Sequence, residues 1–264
     1  MLFVADYFVK ENGAIQELNW LTNPAWHDDM KMSNTTPEII LALDLESREQ
    51  INQVLRATGS RLKWVKVGLQ SFLRDGKQLV EELSDSGKKV FLDLKLHDIP
   101  NTMEKALESL AELPVGMITL HACAGPEALA RCAKFARESM PDVTLLGVTV
   151  LTSTNQEGLE SIGVNHSVDD QVHRLASLAV ENGLGGIVCS PLELPKLRQT
   201  LPSSTALVTP GIRPANADVG DQKRIMTPAQ AKTAGANYLV IGRPILAATD
   251  PQKALDQILE ELSR

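Results

Sequence analysis

The segment Asp93 to Thr102, DLKLHDIPNT, sets an aspartate and a lysine two residues apart, with Asp98 three residues beyond the lysine. On an extended strand, residues i and i+2 share a face, so the Asp93 carboxylate and the Lys95 ammonium project to one side. Opposite charges held together at a partly dry site can stabilise developing charge and move a proton. Lysine suits both tasks: its ammonium is a compact point charge that can release a proton, whereas arginine is a poor donor. Asp44 and Lys66 repeat the acid–base pairing earlier in the chain. Buried charge is costly unless paired, so an alternating cluster of Asp44, Lys66, Asp93 and Lys95 would be tolerated through mutual pairing. The competing reading is an ion-pair network that serves structure alone.

A second group of residues has the chemistry of a phosphate site. Gly211 and Arg213 follow one apolar run, and Gly242 with Arg243 closes the last one. Glycine lets the backbone approach an anion, and the arginine fork matches phosphate geometry. Between them lies PGIRPANADVGDQKRIMTP (210–228), rich in Pro, Asn, Asp and Gly. Loops longer than about 12–15 residues in compact domains are usually lids or binding loops. This one reads as a lid over the phosphate, with Arg213 and Gln222 as its polar contacts.

The elements that must position these groups recur along the chain. Short Val-, Ile- and Leu-rich runs lie at 39–44, 62–68, 89–95, 115–122, 143–152, 185–190, 205–211 and 238–243. Amphipathic stretches such as 70–87 and 126–140 lie between them, with apolar residues at i, i+3 and i+4. Ser71, Asn101 and Ser167 read as helix starts; Gly87, Gly183 and Gly235 read as helix stops. Apolar strands separated by helices predict a parallel sheet covered by helices. Eight such units match an α/β fold of the (β/α)8 TIM-barrel type, typically ~250 residues long. The open doubly wound alternative would show a Gly-rich fingerprint after its first strand, where this chain has Ala42-Leu43-Asp44.

Barrel active sites form at the C-terminal ends of the strands. The residues at or just past those ends are Asp44, Lys66, Asp93, Lys95, His121, Thr152, Ser153, Ser190, Pro210, Arg213 and Arg243, while the opposite ends are mostly apolar. This asymmetry favours an enzyme over a purely structural charge network. The division predicted is a catalytic barrel over 37–264 and an N-terminal extension over 1–36. Trp20, Trp26, Tyr7, Phe3 and Phe8 make the extension either a segment packed on the barrel or sequence upstream of a start at Met30 or Met32. Neither reading places chemistry there.

Composition narrows the function class. A net charge of −7 argues against a nucleic-acid binder, which needs surplus Lys and Arg on one face. Cys123, Cys132 and Cys189 show no CxxC or metal spacing and read as thiols of a reducing compartment. No apolar run approaches the ~20 residues of a membrane helix, so a soluble cytoplasmic protein is expected. Asp, Glu and His spacing nowhere implies a metal site, and no cofactor motif is visible. His97, His121 and Trp64 are read as structural.

The motifs DLKLHDIPNT (93–102), LTST (151–154), VTPGIRP (208–214), GDQKRIMTP (220–228) and VIGRPI (240–245) resemble those of the bacterial-type orotidine 5′-phosphate decarboxylase family, in order and spacing from about Ile39 onward. The resemblance implies a ribulose-phosphate-binding TIM barrel and a cofactor-free lyase. Its reaction would be decarboxylation of orotidine 5′-monophosphate to uridine 5′-monophosphate, the last step of de novo pyrimidine nucleotide synthesis. Carried over, Lys95 would protonate C6, Asp93 would face the departing carboxylate, and Lys66 with Asp44 would hold the ribose hydroxyls. Asp98, Ile99 and Thr102 would reach into the partner's site in a homodimer. Thr152 or the adjacent Ser153 would contact the pyrimidine edge, and Arg213, Gln222, Gly242 and Arg243 would bind phosphate. The nearest alternatives are a metal-dependent keto-gulonate phosphate decarboxylase or hexulose phosphate synthase, and a non-catalytic phosphate-binding barrel.

Overall fold

The computed structural model of the chain describes residues 9–11, 14–16, 36–214 and 225–263. The chain divides into two units, residues 1–33 and 34–264. In the first, the described residues form an antiparallel pair, β1 (Val9–Glu11) and β2 (Ala14–Gln16), with Val9 opposite Gln16. Trp20, Trp26 and the other aromatics of the extension lie outside the described residues.

In the second unit each apolar run becomes one strand. They are β3 (Glu38–Ala42), β4 (Trp64–Gly68), β5 (Lys89–Leu96), β6 (Met117–His121), β7 (Thr144–Val148), β8 (Gly186–Val188), β9 (Ala206–Thr209) and β10 (Tyr238–Ile241). All pair in parallel, and β10 pairs with both β9 and β3 to close the ring. Helices α1 (Arg48–Thr58), α2 (Leu69–Asp85), α3 (Pro100–Leu110), α4 (Pro126–Ser139), α5 (Gln156–Ser161), α6 (Val168–Glu181), α7 (Leu194–Thr200), α8 (Pro228–Thr233), α9 (Arg243–Leu246) and α10 (Pro251–Ser263) intervene or follow. This is the (β/α)8 TIM barrel that the eight-fold pattern predicts.

Two apolar layers hold it together. The larger lies between strands and helices and includes Leu41, Val65, Leu92, Ile118, Ile187, Leu207 and Leu239. The smaller fills the barrel: Ile40, Ala42, Trp64, Phe91, Met117, Leu146, Val208 and Val240. Burying a side chain of this size contributes about 1.5–3 kcal/mol. Trp64 is packing, as its sequence context implies: its ring meets Tyr238 edge-on at 5.7 Å, and Lys89 Nζ lies 5.4 Å from its centroid. Gly116 is needed beside it, because a Cβ there would lie 2.6 Å from Trp64 Cη2.

Local signals divide into those that hold and those the structure corrects. Ser167 caps α6 by accepting from Asp170 N–H, and Gly87, Gly183 and Gly235 take left-handed φ of 81°, 88° and 96° past helix ends. Ser71 is no cap: it lies inside α2, fully buried, and donates to Leu43 O at 2.8 Å. Asn101 lies inside α3, because Pro100 opens the helix and Ile99 takes the cap position. The stretch 70–87 is kinked at Gly76, with φ 67° and ψ −158°. The run 143–152 ends as a strand at Val148, since Thr149 donates both N–H and Oγ1 to Val188 O and a turn follows at 152–153.

Candidate active site

Alternation along each strand decides what enters the barrel. Trp64, Phe91 and Met117 fill its interior, so Lys66, Asp93 and Thr119, each two residues later, point inward one layer higher. Asp44 lies two residues past the end of β3. The four predicted charges meet in the predicted order. Lys66 Nζ donates to Asp44 Oδ1 and Oδ2 at 3.0 and 3.1 Å and lies 3.4 Å from Asp93 Oδ2. Lys95 Nζ donates to both Asp93 oxygens at 2.8 Å.

Exposure is graded along this line. The side chains of Lys66 and Asp93 are 10% and 11% exposed, whereas those of Lys95 and Asp44 are 35% and 49% exposed. The inner pair is therefore held largely out of water, and the outer two groups are partly open to it. Burial alone would raise the Asp93 pKa. The ammonium groups of Lys66 and Lys95, with hydrogen bonds from Lys95 and Thr119, outweigh that and hold the carboxyl below its ordinary range. Asp93 is thus an anion throughout the neutral range.

Simple alternation does not account for Lys95. Between Leu92, paired with Ile118, and Leu96, paired with Leu120, β5 carries three residues opposite the single Thr119. The strand bulges, and among the described residues Lys95 is the one non-glycine with positive φ, at 51°. A non-glycine residue in that region costs about 1–3 kcal/mol and persists only where its surroundings enforce it. Here the turned backbone brings the Lys95 ammonium back over Asp93. The i, i+2 spacing predicts the contact, but the bulge is its cause.

Gly68 leaves the space the first pair needs. A Cβ there would lie 2.6 Å from Asp44 Oδ1 and 2.9 Å from Lys66 Nζ. Neither Gly68 nor Thr119 is flagged by its sequence context, since glycine after a strand and threonine within one are ordinary. Gly68 ends β4 one inward position beyond Lys66, and Thr119 lies one inward position before the end of β6, so both roles appear only when neighbouring strands are set side by side.

The other predicted residues in the described part lie at or past the C-terminal ends of β5, β7, β9 and β10. Asp98 and Thr102 are exposed, Ile99 is 66% exposed, and Asp98 Oδ1 accepts the Ile99 N–H at 2.6 Å. Thr152 is half-buried and Ser153 exposed in the turn after β7. Arg213 is buried; its Nη1 donates to Ile212 O at 2.9 Å and its N–H to Met226 O at 2.9 Å. Together with the Ile212–Met226 bridge, this clamps the ends of the loop after β9. Gln222 lies outside the described residues. Gly242 precedes α9, and Arg243, its first residue, is exposed.

His121, read as structural, lies beside His97 with ring centroids 5.4 Å apart. Burial, with His97 and Lys95 nearby, lowers its pKa against the opposing pull of Asp93. A cavity of about 420 Å³ lies between α1 and α2 near the N-terminal ends of β4 and β5, away from these charges. Among the described residues no group of three or more His, Cys, Asp or Glu could hold a metal, and no helix is long and apolar enough to cross a membrane.

A family model described as "Orotidine 5′-phosphate decarboxylase / HUMPS family" matches residues 37–258. The orotidine 5′-phosphate decarboxylase of Opitutus terrae is 52% identical over 225 residues, spanning 85% of this chain and 98% of that protein. The Pseudomonas putida protein of that name is 46% identical over 232 residues, spanning 88% of this chain and 99% of its own. The crystal structure of orotidine 5′-phosphate decarboxylase from Lactobacillus acidophilus matches with a TM-score of 0.77 at 36% identity, covering 86% of this chain and 100% of that one.

Proposed function

The chain belongs to the orotidine 5′-phosphate decarboxylase / HUMPS family, and from that premise we propose that it converts orotidine 5′-monophosphate to uridine 5′-monophosphate at the Asp44–Lys66–Asp93–Lys95 line. The observation that carries this reading is Lys95, held at positive φ with its ammonium 2.8 Å from a buried carboxylate. A proton donor is thereby fixed in place beside a permanent negative charge.

In the proposed reaction the bond from C6 to the carboxylate breaks, CO2 leaves, and the electron pair stays on C6 in the plane of the ring. The ring's π-system cannot delocalise that pair, so stabilisation must come from charge already in place. The Lys95 ammonium supplies it and then gives a proton to C6; the resulting amine regains its proton from solvent. Asp93 faces the departing carboxylate, and ground-state repulsion there would add to the rate. Asp44 and Lys66 hold the ribose hydroxyls, and Thr152 or Ser153 meets the pyrimidine edge.

Arg213, Gln222, Gly242 and Arg243 take the phosphate. Binding energy from that remote group can close the loop after β9 and assemble the site. The exposed Asp98, Ile99 and Thr102 fit a role across a homodimer interface, completing the partner's site. Residues 37–264 are the catalytic barrel, residues 1–36 an extension outside the chemistry, and the enzyme works in the cytoplasm.

The test is turnover by the purified full-length chain in EDTA, followed as loss of the ultraviolet absorbance of orotidine 5′-monophosphate. Undiminished turnover supports the reading. Turnover that requires added metal, or none at all, would overturn it in favour of a metal-dependent sugar-phosphate reaction.

A further inference from the structure

Thr119 is fully buried on β6, and its hydroxyl joins the two residues on which the chemistry depends. Its Oγ1 accepts the backbone N–H of Lys95 at 2.8 Å and lies 3.0 Å from Asp93 Oδ1. The direction of both bonds is fixed by chemistry. A backbone N–H can only donate and an ionised carboxylate can only accept, so the hydroxyl must accept from Lys95 and donate to Asp93. No other arrangement of its single proton satisfies both partners.

The bulge in β5 gives this hydroxyl its importance. Across the bulge the regular ladder to β6 is interrupted, and the Lys95 N–H would lose its partner within the barrel wall. A side chain from the neighbouring strand replaces the missing carbonyl. We propose that Thr119 is a positioning residue for Lys95: its hydroxyl holds the lysine backbone in the left-handed conformation while orienting the Asp93 carboxylate that receives the lysine ammonium. One group thus fixes both ends of the Asp93–Lys95 pair. The inference rests on the reading of Lys95 as the proton donor, yet its structural half stands independently of any substrate.

Residues that could substitute follow from the same bonds. Serine keeps both hydrogen bonds, whereas valine keeps the shape and loses them. For Thr119→Val we expect kcat on orotidine 5′-monophosphate to fall about 10- to 100-fold, the range for losing a buried two-way hydrogen bond at a reacting group. Affinity for uridine 5′-monophosphate should stay within about threefold, because the phosphate contacts are untouched. Thr119→Ser should recover kcat to within about threefold of the parent. The crystal structure of Thr119→Val should show Lys95 out of the positive-φ region and its Nζ beyond hydrogen-bond reach of Asp93. If the valine variant does not fold, Thr119→Ala serves the same comparison.

Parental kcat in Thr119→Val with Lys95 still at positive φ would overturn the proposal. So would a serine variant as impaired as the valine one, since packing of the methyl would then be what matters. If the parent itself fails to turn over orotidine 5′-monophosphate, the functional reading falls, and the variant's crystal structure still decides the role of Thr119.

Discussion

Gly68 shows how little room the charge line leaves at the scale of single residues. Its φ of −85° suits any amino acid, so the constraint is space alone. Alanine would press on the ends of two flexible side chains, Asp44 and Lys66, which can move without disturbing the backbone. Gly68→Ala should therefore fold with a stability change under about 1 kcal/mol. It should lower kcat/KM about tenfold to a hundredfold through displacement of the pair. Thermal unfolding and steady-state kinetics on the same preparation check this; a large loss of stability or unchanged kinetics would contradict it. The four charged residues themselves are legible in the sequence, because aspartate and lysine at strand ends have few structural uses. Gly68 and Thr119 are not, because their roles exist only once two strands are side by side. The left-handed turn at Lys95 is hidden for the same reason: nothing local to lysine favours it, and β6 enforces it.

Elements carry the next level of information. All eight strands are legible because each carries a short buried apolar run, mostly Val, Ile and Leu, and helical stretches separate the runs. Their ends are less so: the run at 143–152 continues in composition after the ladder has stopped at Val148. The kink at Gly76 escapes a periodicity reading, since the apolar stripe continues across it. Pairing of β9 with β10 also brings the ends of those two strands together, so Gly211 and Gly242 start from neighbouring positions in the barrel wall. Arg243→Ala should weaken uridine 5′-monophosphate binding by about 10- to 100-fold while leaving the weaker binding of uridine unchanged. Titration calorimetry with both ligands reads the difference; equal affinity of parent and variant for the nucleotide would remove Arg243 from the site.

For the whole molecule, the question is what completes the rim. Asp98, Ile99 and Thr102 are exposed on the segment leading from β5 into α3, immediately after the strand that carries Asp93 and Lys95. That segment reads in the sequence as continuous with the Asp93–Lys95 core, yet it turns outward. If the three residues serve a partner, Lys95→Ala and Asp98→Ala chains should each be inactive alone. Mixed after unfolding and refolding, they should regain about a quarter of parental turnover, since half the dimers are mixed and each has one intact site. No recovery on mixing, from variants shown to dimerise, would confine Asp98 to its own subunit.

The central claim is that Lys95 supplies the charge and the proton for decarboxylation while other groups bind the nucleotide. Its most direct test is Lys95→Ala, assayed for turnover of orotidine 5′-monophosphate and for affinity toward uridine 5′-monophosphate on one preparation. Turnover lost by at least about 10⁴-fold, with product affinity within about tenfold of the parent, is the predicted result. Retained turnover, or equal loss of turnover and binding, would contradict it.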